Sequence, residues 1–336
     1  MSTVAPPSNS TSAASPDARG SASATRSPEP SLARNVASSV GAKLLYLVSR
    51  VFLPPLTLAY VSLEEYGIWA TCFILIGYIG MTAFGVSNVY IRYVAQYQAE
   101  GQSERINHLV TTGVSVVSAL GLTLLLALWL FLPTIIDAFS ISAAARETAF
   151  VLIFATAAIF VVDMSWGAFA YVLHGLQRIY EHNLVWVTSF LLETALIVAF
   201  LLMGWGIYAL LVAFAIRYVV SIAGSAWLCF RYLPDLSLRP KYFDRSVVKL
   251  FVSYGGVVQI AGFLGMLQRS IEKVIAGVFM DVRATGLFDV GQKMPVMATS
   301  LSGSMSGAYL PAITRMHTEG QHDKVKEIYL EGSRHN

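Results

Sequence analysis

From about residue 36 to about residue 314, long apolar stretches alternate with short polar ones. Eight stretches stand out, at about 36–61, 66–92, 108–136, 148–174, 183–203, 206–230, 250–280 and 284–314. Each reaches the ~20 residues that a helix needs to cross the hydrocarbon core of a bilayer. The second and third carry no formal charge between Tyr66 and Ile91 and between Leu109 and Ile136; the others carry one to three each. None shows the alternation, over about ten residues, of a membrane β-barrel strand. The pattern predicts an all-α polytopic membrane protein with eight transmembrane helices. Pro54-Pro55 predicts a kink in the first helix and Pro295 one in the eighth.

Composition sharpens this picture. A chain of 336 residues would ordinarily fold as two soluble domains, but only 13% of these residues are charged and 55% are apolar, with a mean hydropathy of +0.60. Too few charges are present to cover a soluble surface. The net charge of +3 is too small to imply a nucleic-acid partner. The two cysteines, Cys72 and Cys229, lie inside apolar runs, which argues against a disulfide framework and a cysteine metal site. No cofactor motif is visible. Residues 1–33 are rich in Ser, Ala, Pro and Thr and contain no apolar block, so they read as a disordered tail without a signal-peptide core.

The placement of the basic residues sets the orientation. With the N-terminus in the cytoplasm, fifteen Lys and Arg residues fall in the tail and the cytoplasmic segments, and only Arg146 and Arg283 fall outside. By the positive-inside rule both termini are cytoplasmic. The external connections are short and leave no room for an extracytoplasmic domain.

The chain also repeats itself at an offset of 219 residues. Glu100, Gly101 and Gln102 meet Glu319, Gly320 and Gln321, and Arg105 meets Lys324. Gly67 falls on Gly286, Tyr90 on Tyr309 and Arg50 on Arg269. Helices seven and eight therefore repeat helices one and two. The expected organisation is a tail (1–33), a six-helix lobe (34–231), a basic cytoplasmic linker (232–249), the first two helices of a second lobe (250–314) and a cytoplasmic C-terminal segment (315–336). A parallel repeat of two membrane lobes is a transporter architecture. A full second lobe would run to roughly residue 450 by the same offset, so the expectation is a chain truncated after its eighth helix.

Several segments resemble a known family. LEEYGIWA (Leu63 to Ala70), IRYVAQYQAEGQ (Ile91 to Gln102), GLQRIYEHN (Gly175 to Asn183), and GLFDVGQK (Gly286 to Lys293) followed by LPAITRMHTEGQ (Leu310 to Gln321) are similar, in order and spacing, to bacterial polysaccharide flippases. These O-antigen and teichoic-acid type exporters belong to the multidrug/oligosaccharidyl-lipid/polysaccharide exporter superfamily. The resemblance implies twelve or more helices in two lobes. It implies a place in the bacterial inner membrane and export of an undecaprenyl-diphosphate-linked oligosaccharide in O-antigen, lipopolysaccharide or other polysaccharide biosynthesis. It also implies contact with membrane lipids, with a polysaccharide polymerase or glycosyltransferases as further partners.

Ionisable residues at bilayer depth usually face a cavity. The basic ones here are Lys43, Arg50, Arg217, Arg269, Lys273 and Lys293; the acidic ones are Asp163, Glu193, Glu272 and Asp289. Arg50, Arg217, Arg269, Lys273 and Lys293 are the candidates for a cationic cavity that binds a diphosphate, because guanidinium forks match phosphate oxygens and lysine adds point charge. The competing reading makes them structural pairs, Arg269 with Glu272 and Lys293 with Asp289. Lys43, near a helix end, is expected to snorkel. Asp163 and Glu193 lack a basic residue within four positions. They are candidates for proton coupling, or else for pairing with Arg217 of the neighbouring helix. His174 and His182 are expected to be solvated at the interface. Trp129, Trp166, Trp186 and Trp205 are expected as belt anchors, and the run Arg231 to Lys249 is expected on anionic headgroups.

Four functions fit this pattern to different degrees. A lipid-linked oligosaccharide flippase working by alternating access fits best. A cation or drug exporter of the related extrusion family fits less well, because residues 36–61 hold no Asp or Glu. An enzyme would need a sizeable soluble loop or paired catalytic carboxylates, and neither is visible. A non-transporting remnant stays open. The topology has a direct check: cysteines placed at Glu65 and Asp137 should react with an impermeant reagent added outside, whereas cysteines at Arg239 and His322 should not. Labelling at 239 from outside would invert the orientation.

Overall fold

The computed structural model describes residues 32–82, 85–297 and 299, with side chains from Gly41 onward except at 252–263, 266 and 269. These residues form helices and short 3-10 turns joined by tight loops. In chain order the helices are α1 (Leu32–Leu58), α2 (Leu63–Met81), α3 (Val86–Ala99), α4 (Ser103–Ala138), α5 (Arg146–Trp166), α6 (Ala168–Gly175), α7 (Ile179–Leu202), α8 (Tyr208–Tyr232) and α9 (Arg245–Phe279), followed by α10 (residues 282–297).

The eight expected stretches are all represented, but two are interrupted. The second becomes α2 and α3, which meet at an angle of 49°, and the third fills α4. Gly85 opens α3 at φ 88°, a left-handed conformation that costs glycine little. The fourth stretch divides at Gly167, whose N–H bonds to the Asp163 carbonyl at 2.6 Å to close α5 before α6 begins. Four stretches (Ser103–Ala138, Ala143–Gly175, Ile179–Leu202 and Tyr208–Tyr232) are each long and apolar enough to cross a membrane, and α2 with α3 makes a fifth. The remaining three are α1, α9 and the start of α10. Pro54 and Pro55 both lie inside α1, which ends one turn later at Leu58. Residues 1–31, 298 and 300–336 lie outside the described residues, so the tail, the C-terminal segment and the course of the eighth stretch beyond Pro295 do too. Two boundaries shift: α1 already begins at Leu32, and α9 begins at Arg245 within the expected linker.

Local chemistry explains the helix starts. Ser62 caps α2 in a reciprocal box, its Oγ accepting from Glu65 N–H while its own N–H donates to Glu65 Oε2 at 2.8 Å. Asp244 caps α9 by accepting from both the N–H and the hydroxyl of Ser246 at 2.8 Å. Those bonds hold the Asp244 carboxyl below its usual range, so the cap is intact at neutral pH and is lost as pH falls through the carboxyl's lowered pKa.

Packing follows from the apolar faces. α4 packs on α5, α5 on α2 and α8, α6 on α3 and α8, and α7 on both α8 and α1. One core gathers Ile68, Trp69, Leu132, Ile136, Leu152, Ile153, Ile197 and Phe214. A second gathers Val89, Tyr90, Leu109, Val172, Leu173, Leu228 and Cys229. Large apolar side chains also cover the outside, among them Leu122, Leu126, Trp129, Phe131, Val162, Val219 and Trp227. A water-facing surface would not carry this many; a surface against lipid tails does.

The segment between α8 and α9 is strapped to α4. Asn107 donates to the Asp235 carbonyl at 3.1 Å and accepts from Ser237 N–H at 3.0 Å. The His108 ring bonds the Tyr242 carbonyl at 2.9 Å, and Thr112 Oγ1 accepts from Asp244 N–H at 2.9 Å. Around this strap Arg239, Lys241, Arg245 and Lys249 remain exposed.

At the other end of the bundle α10 crosses α2 at a pair of glycines. A Cβ on Gly67 would collide with the Val282 carbonyl, and a Cβ on Gly286 would press on the Gly67 backbone and the Leu63 carbonyl. Gly286 is Gly67 plus 219 and Val282 is Leu63 plus 219, so the contact is reciprocal under the sequence repeat. That is the geometry of a two-fold contact. Beside it Arg283 pairs at 3.4 Å with Glu64, its own partner under the same offset.

The strap makes one prediction. Asn107→Ala removes two bonds and strands two linker groups, for a loss of about 1–3 kcal/mol. Earlier thermal unfolding and faster trypsin cleavage at Lys241 or Arg245 are expected, Arg239 being protected by the proline that follows it; unchanged cleavage would mean that the strap contributes nothing.

Candidate functional site

The charges of α1, α9 and α10 converge on one cavity of about 320 Å3. Arg50 enters from α1, Tyr66, Trp69 and Phe73 from α2, Ile197 and Leu210 from α7 and α8, and Lys273, Asp289 and Lys293 from α9 and α10. Helical spacing accounts for the grouping. Asp289 and Lys293 are one turn apart on α10, and Tyr46, Arg50 and Thr57 recur along one side of α1.

Two ionic clusters organise these charges, and each is a carboxylate between two cations. In the first, Glu193 Oε2 on α7 accepts from Arg50 at 2.7 Å and lies 3.4 Å from Arg217 of α8. Glu193 is 1% exposed, Arg217 11% and Arg50 23%. Arg50 also lies over the Tyr46 ring and Arg217 over that of Tyr218, contacts that favour a weakly hydrated guanidinium. The Arg50 Nε is shielded from solvent and has no hydrogen-bond partner among the described residues. In the second cluster, Asp289 accepts from Lys273 at 2.7 Å and from Lys293 at 2.9 Å. Tyr66 adds a hydrogen bond, its hydroxyl donating to Asp289 Oδ2 at 3.0 Å across the interface with α10. Four cations and two carboxylates leave these clusters with an excess of positive charge.

The sequence-predicted residues sort accordingly. Arg50, Lys273 and Lys293 line the cavity, and Arg217 stands behind Arg50 through Glu193. The Lys293–Asp289 pair of the competing reading forms, with Lys273 joining it. Arg269 lies in α9, and its side chain is outside the described residues, so the expected pairing with Glu272 is too. Glu272 accepts from Gln292 at 2.7 Å. The two acidic candidates separate. Glu193 takes the alternative open to it and pairs with Arg217, with Arg50 as a second partner. Asp163 lies within electrostatic reach of Arg217 but forms no ion pair among the described residues. Lys43 is exposed and does not line the cavity.

His174 and His182 depart from expectation. They are half-buried, and their rings pack edge-to-face at 4.9 Å because the sharp turn through Gln177, at φ 60°, folds α6 back beside α7. Trp186 also departs, since it packs against Tyr46 and Phe190 beside the Arg50 cluster instead of reaching outward. Sequence reasoning missed Tyr66 and Tyr46. Tyr46 stands one helical turn before Arg50, a spacing that could have marked it; Tyr66 meets a partner 223 residues away, which no local spacing reports.

Comparison with known proteins bears on what this site belongs to. A family model described as polysaccharide biosynthesis protein matches residues 32–317. The chain belongs to that family. Among solved structures, it superposes on a multidrug resistance MATE family transporter of the MOP superfamily, determined in an inward-facing conformation, with a TM-score of 0.68 at 14% identity. The match covers 87% of this chain and 66% of the transporter, so the chain spans just under two thirds of that neighbour's length. No curated protein matches it. The polysaccharide biosynthesis family member is thus a multi-pass helical membrane protein with a transporter fold, as the resemblance of its segments implies.

Removing the shared carboxylate is the sharpest test of the first cluster. Glu193→Ala leaves two partly buried guanidiniums without their shared carboxylate, at a cost of about 1–3 kcal/mol. Replacing all three members with apolar residues (Arg50→Met, Glu193→Leu, Arg217→Met) should restore most of that stability. Thermal unfolding in one detergent compares the variants. Equal unfolding temperatures for Glu193→Ala and the unaltered protein would show that the cluster bears no load.

Proposed function

We propose that this protein forms the substrate path of a flippase for a diphosphate-linked oligosaccharide lipid, of the undecaprenyl-diphosphate type, in the bacterial inner membrane with both termini in the cytoplasm. The observation that supports this reading is the cavity lined by Arg50 of α1 together with Lys273 of α9 and Lys293 of α10. A diphosphate offers many acceptor oxygens and two or three negative charges, which complement a cationic wall of one guanidinium and two ammonium groups. Lysines on α9 and α10 then serve as mobile point charges while the Arg50 fork orients one phosphate. The aromatic rings of Trp69 and Phe73 line the same space and offer faces to a sugar. The lipid tail stays in the bilayer beside the cavity, and the two lobes rock against each other to expose the head group on alternate sides. Arg269 joins the cationic set as the repeat partner of Arg50. Asp163, which forms no ion pair among the described residues, is the residue of choice for proton coupling; Glu193, clamped between two arginines, is not.

A drug or cation exporter of the extrusion type is the second reading, favoured by the fold of the multidrug neighbour. A cavity wall with three cations and one carboxylate repels such substrates. The two readings part on Arg50. Arg50→Lys keeps the charge and loses the fork, and should lower flipping of a diphosphate lipid in proteoliposomes by about tenfold, the loss of about 1.4 kcal/mol of transition-state contact. Arg50→Ala should lower it further at equal insertion. Full activity in Arg50→Ala would remove the support for a diphosphate clamp.

A further inference from the structure

The carboxylate of Asp289 has three hydrogen-bonding partners, and they do not belong to one place. Lys273 and Lys293 come from α9 and α10, while Tyr66 comes from α2 on the other side of the glycine crossing. Asp289 and Tyr66 are both buried. The Tyr66 hydroxyl bond therefore joins α2 to α10 at the closed end, where the Gly67–Gly286 contact and the Glu64–Arg283 pair also join them. The same two lysines line the cavity that an anion would enter.

We infer that Asp289 is a built-in stand-in for the substrate's phosphate: it competes with the anion for Lys273 and Lys293, and its bond to Tyr66 makes closure of the Glu64–Arg283 end depend on which anion the lysines hold. With the cavity empty, the carboxylate offsets half of the lysines' charge and ties α10 to α2. When a diphosphate takes the lysines, Asp289 faces a like charge a few ångströms away, its bond to Tyr66 weakens, and the closed end is released. Binding and opening are thereby linked, since a ligand shifts a conformational equilibrium only by its differential affinity for the two states. Asp289 is a positioning residue in this scheme, and Tyr66 is the group through which its state is read. The inference rests on the cationic-cavity reading, and its test separates the two.

The experiment uses the purified protein in nanodiscs with nitroxide labels on cysteines placed at Tyr60 and Met280, two exposed positions on either side of the closed end. The native Cys72 and Cys229 are buried and should not label. The probe is inorganic pyrophosphate, with sulfate at equal ionic strength as the control. Binding is read as a thermal shift, and closure as the label-to-label distance by electron spin resonance. In the otherwise unaltered protein, pyrophosphate should bind and lengthen the distance. Asp289→Asn should bind pyrophosphate about tenfold more tightly, because a competing charge is gone, with a distance that no longer responds. Tyr66→Phe, which deletes one hydroxyl, should give the longer distance before any anion is added. Binding without a change of distance, or weaker binding in Asp289→Asn, would overturn the inference while leaving the cationic cavity standing. Absence of pyrophosphate binding, or equal binding of sulfate, would overturn the cavity reading and this inference with it.

Discussion

Charge at membrane depth is the constraint on which this molecule turns. An isolated ion there costs several kcal/mol, and two like charges about 4 Å apart repel by about 4 kcal/mol at an effective dielectric of 20. A wall of bare cations would not survive in an empty cavity. The answer adopted twice is one carboxylate shared by two cations, Glu193 between Arg50 and Arg217, and Asp289 between Lys273 and Lys293. The shared carboxylate removes most of the cost while leaving an excess of positive charge. The helices that present these groups are less free to vary than the others, because displacing one member orphans the remaining two.

The glycine crossing serves the same arrangement. Asp289 lies one helical turn beyond Gly286 on α10, so the depth at which α10 meets α2 sets whether the Tyr66 hydroxyl reaches the carboxylate. A side chain at either glycine would lift the helices apart through backbone atoms, which cannot rotate away. The reciprocal pairing of positions 219 apart, Gly67 with Gly286 and Glu64 with Arg283, is what two copies of one hairpin make when they meet about a two-fold axis.

Much of this was legible in the residues. Apolar length and charge-free runs mark the spans, and the 219-residue offset identifies the two hairpins that later meet at their own equivalent positions. Pairing at one-turn spacing, as in Asp289–Lys293, is local and can be read directly. The breaks at Gly85 and Gly167 were not legible, because a glycine inside an apolar run is as common in a continuous membrane helix as at a bend. Arg50–Glu193 joins residues 143 apart and Tyr66–Asp289 residues 223 apart. No periodicity reports such contacts, since they arise only when helices have chosen neighbours. The histidine pair failed for a related reason: the turn at Gln177 brings side chains together that polarity alone would send to water.

The balance of charge bears on selectivity more than on stability. A fully compensated cavity would hold no anion, and a fully uncompensated one would bind it too firmly to release. On the proposed function, an internal carboxylate on each pair of cations places affinity between those limits, because an entering anion would have to displace part of an existing ion pair. It gains only the difference between its own contacts and those of the carboxylate. For a diphosphate head group with more oxygens than a single carboxylate, that difference is favourable; for a monovalent anion with a similar oxygen pair it is close to nothing. On the proposed function, the same residues that make the buried cluster tolerable in lipid also reject small anions, and the discrimination comes from competition within the wall, with no separate filter required.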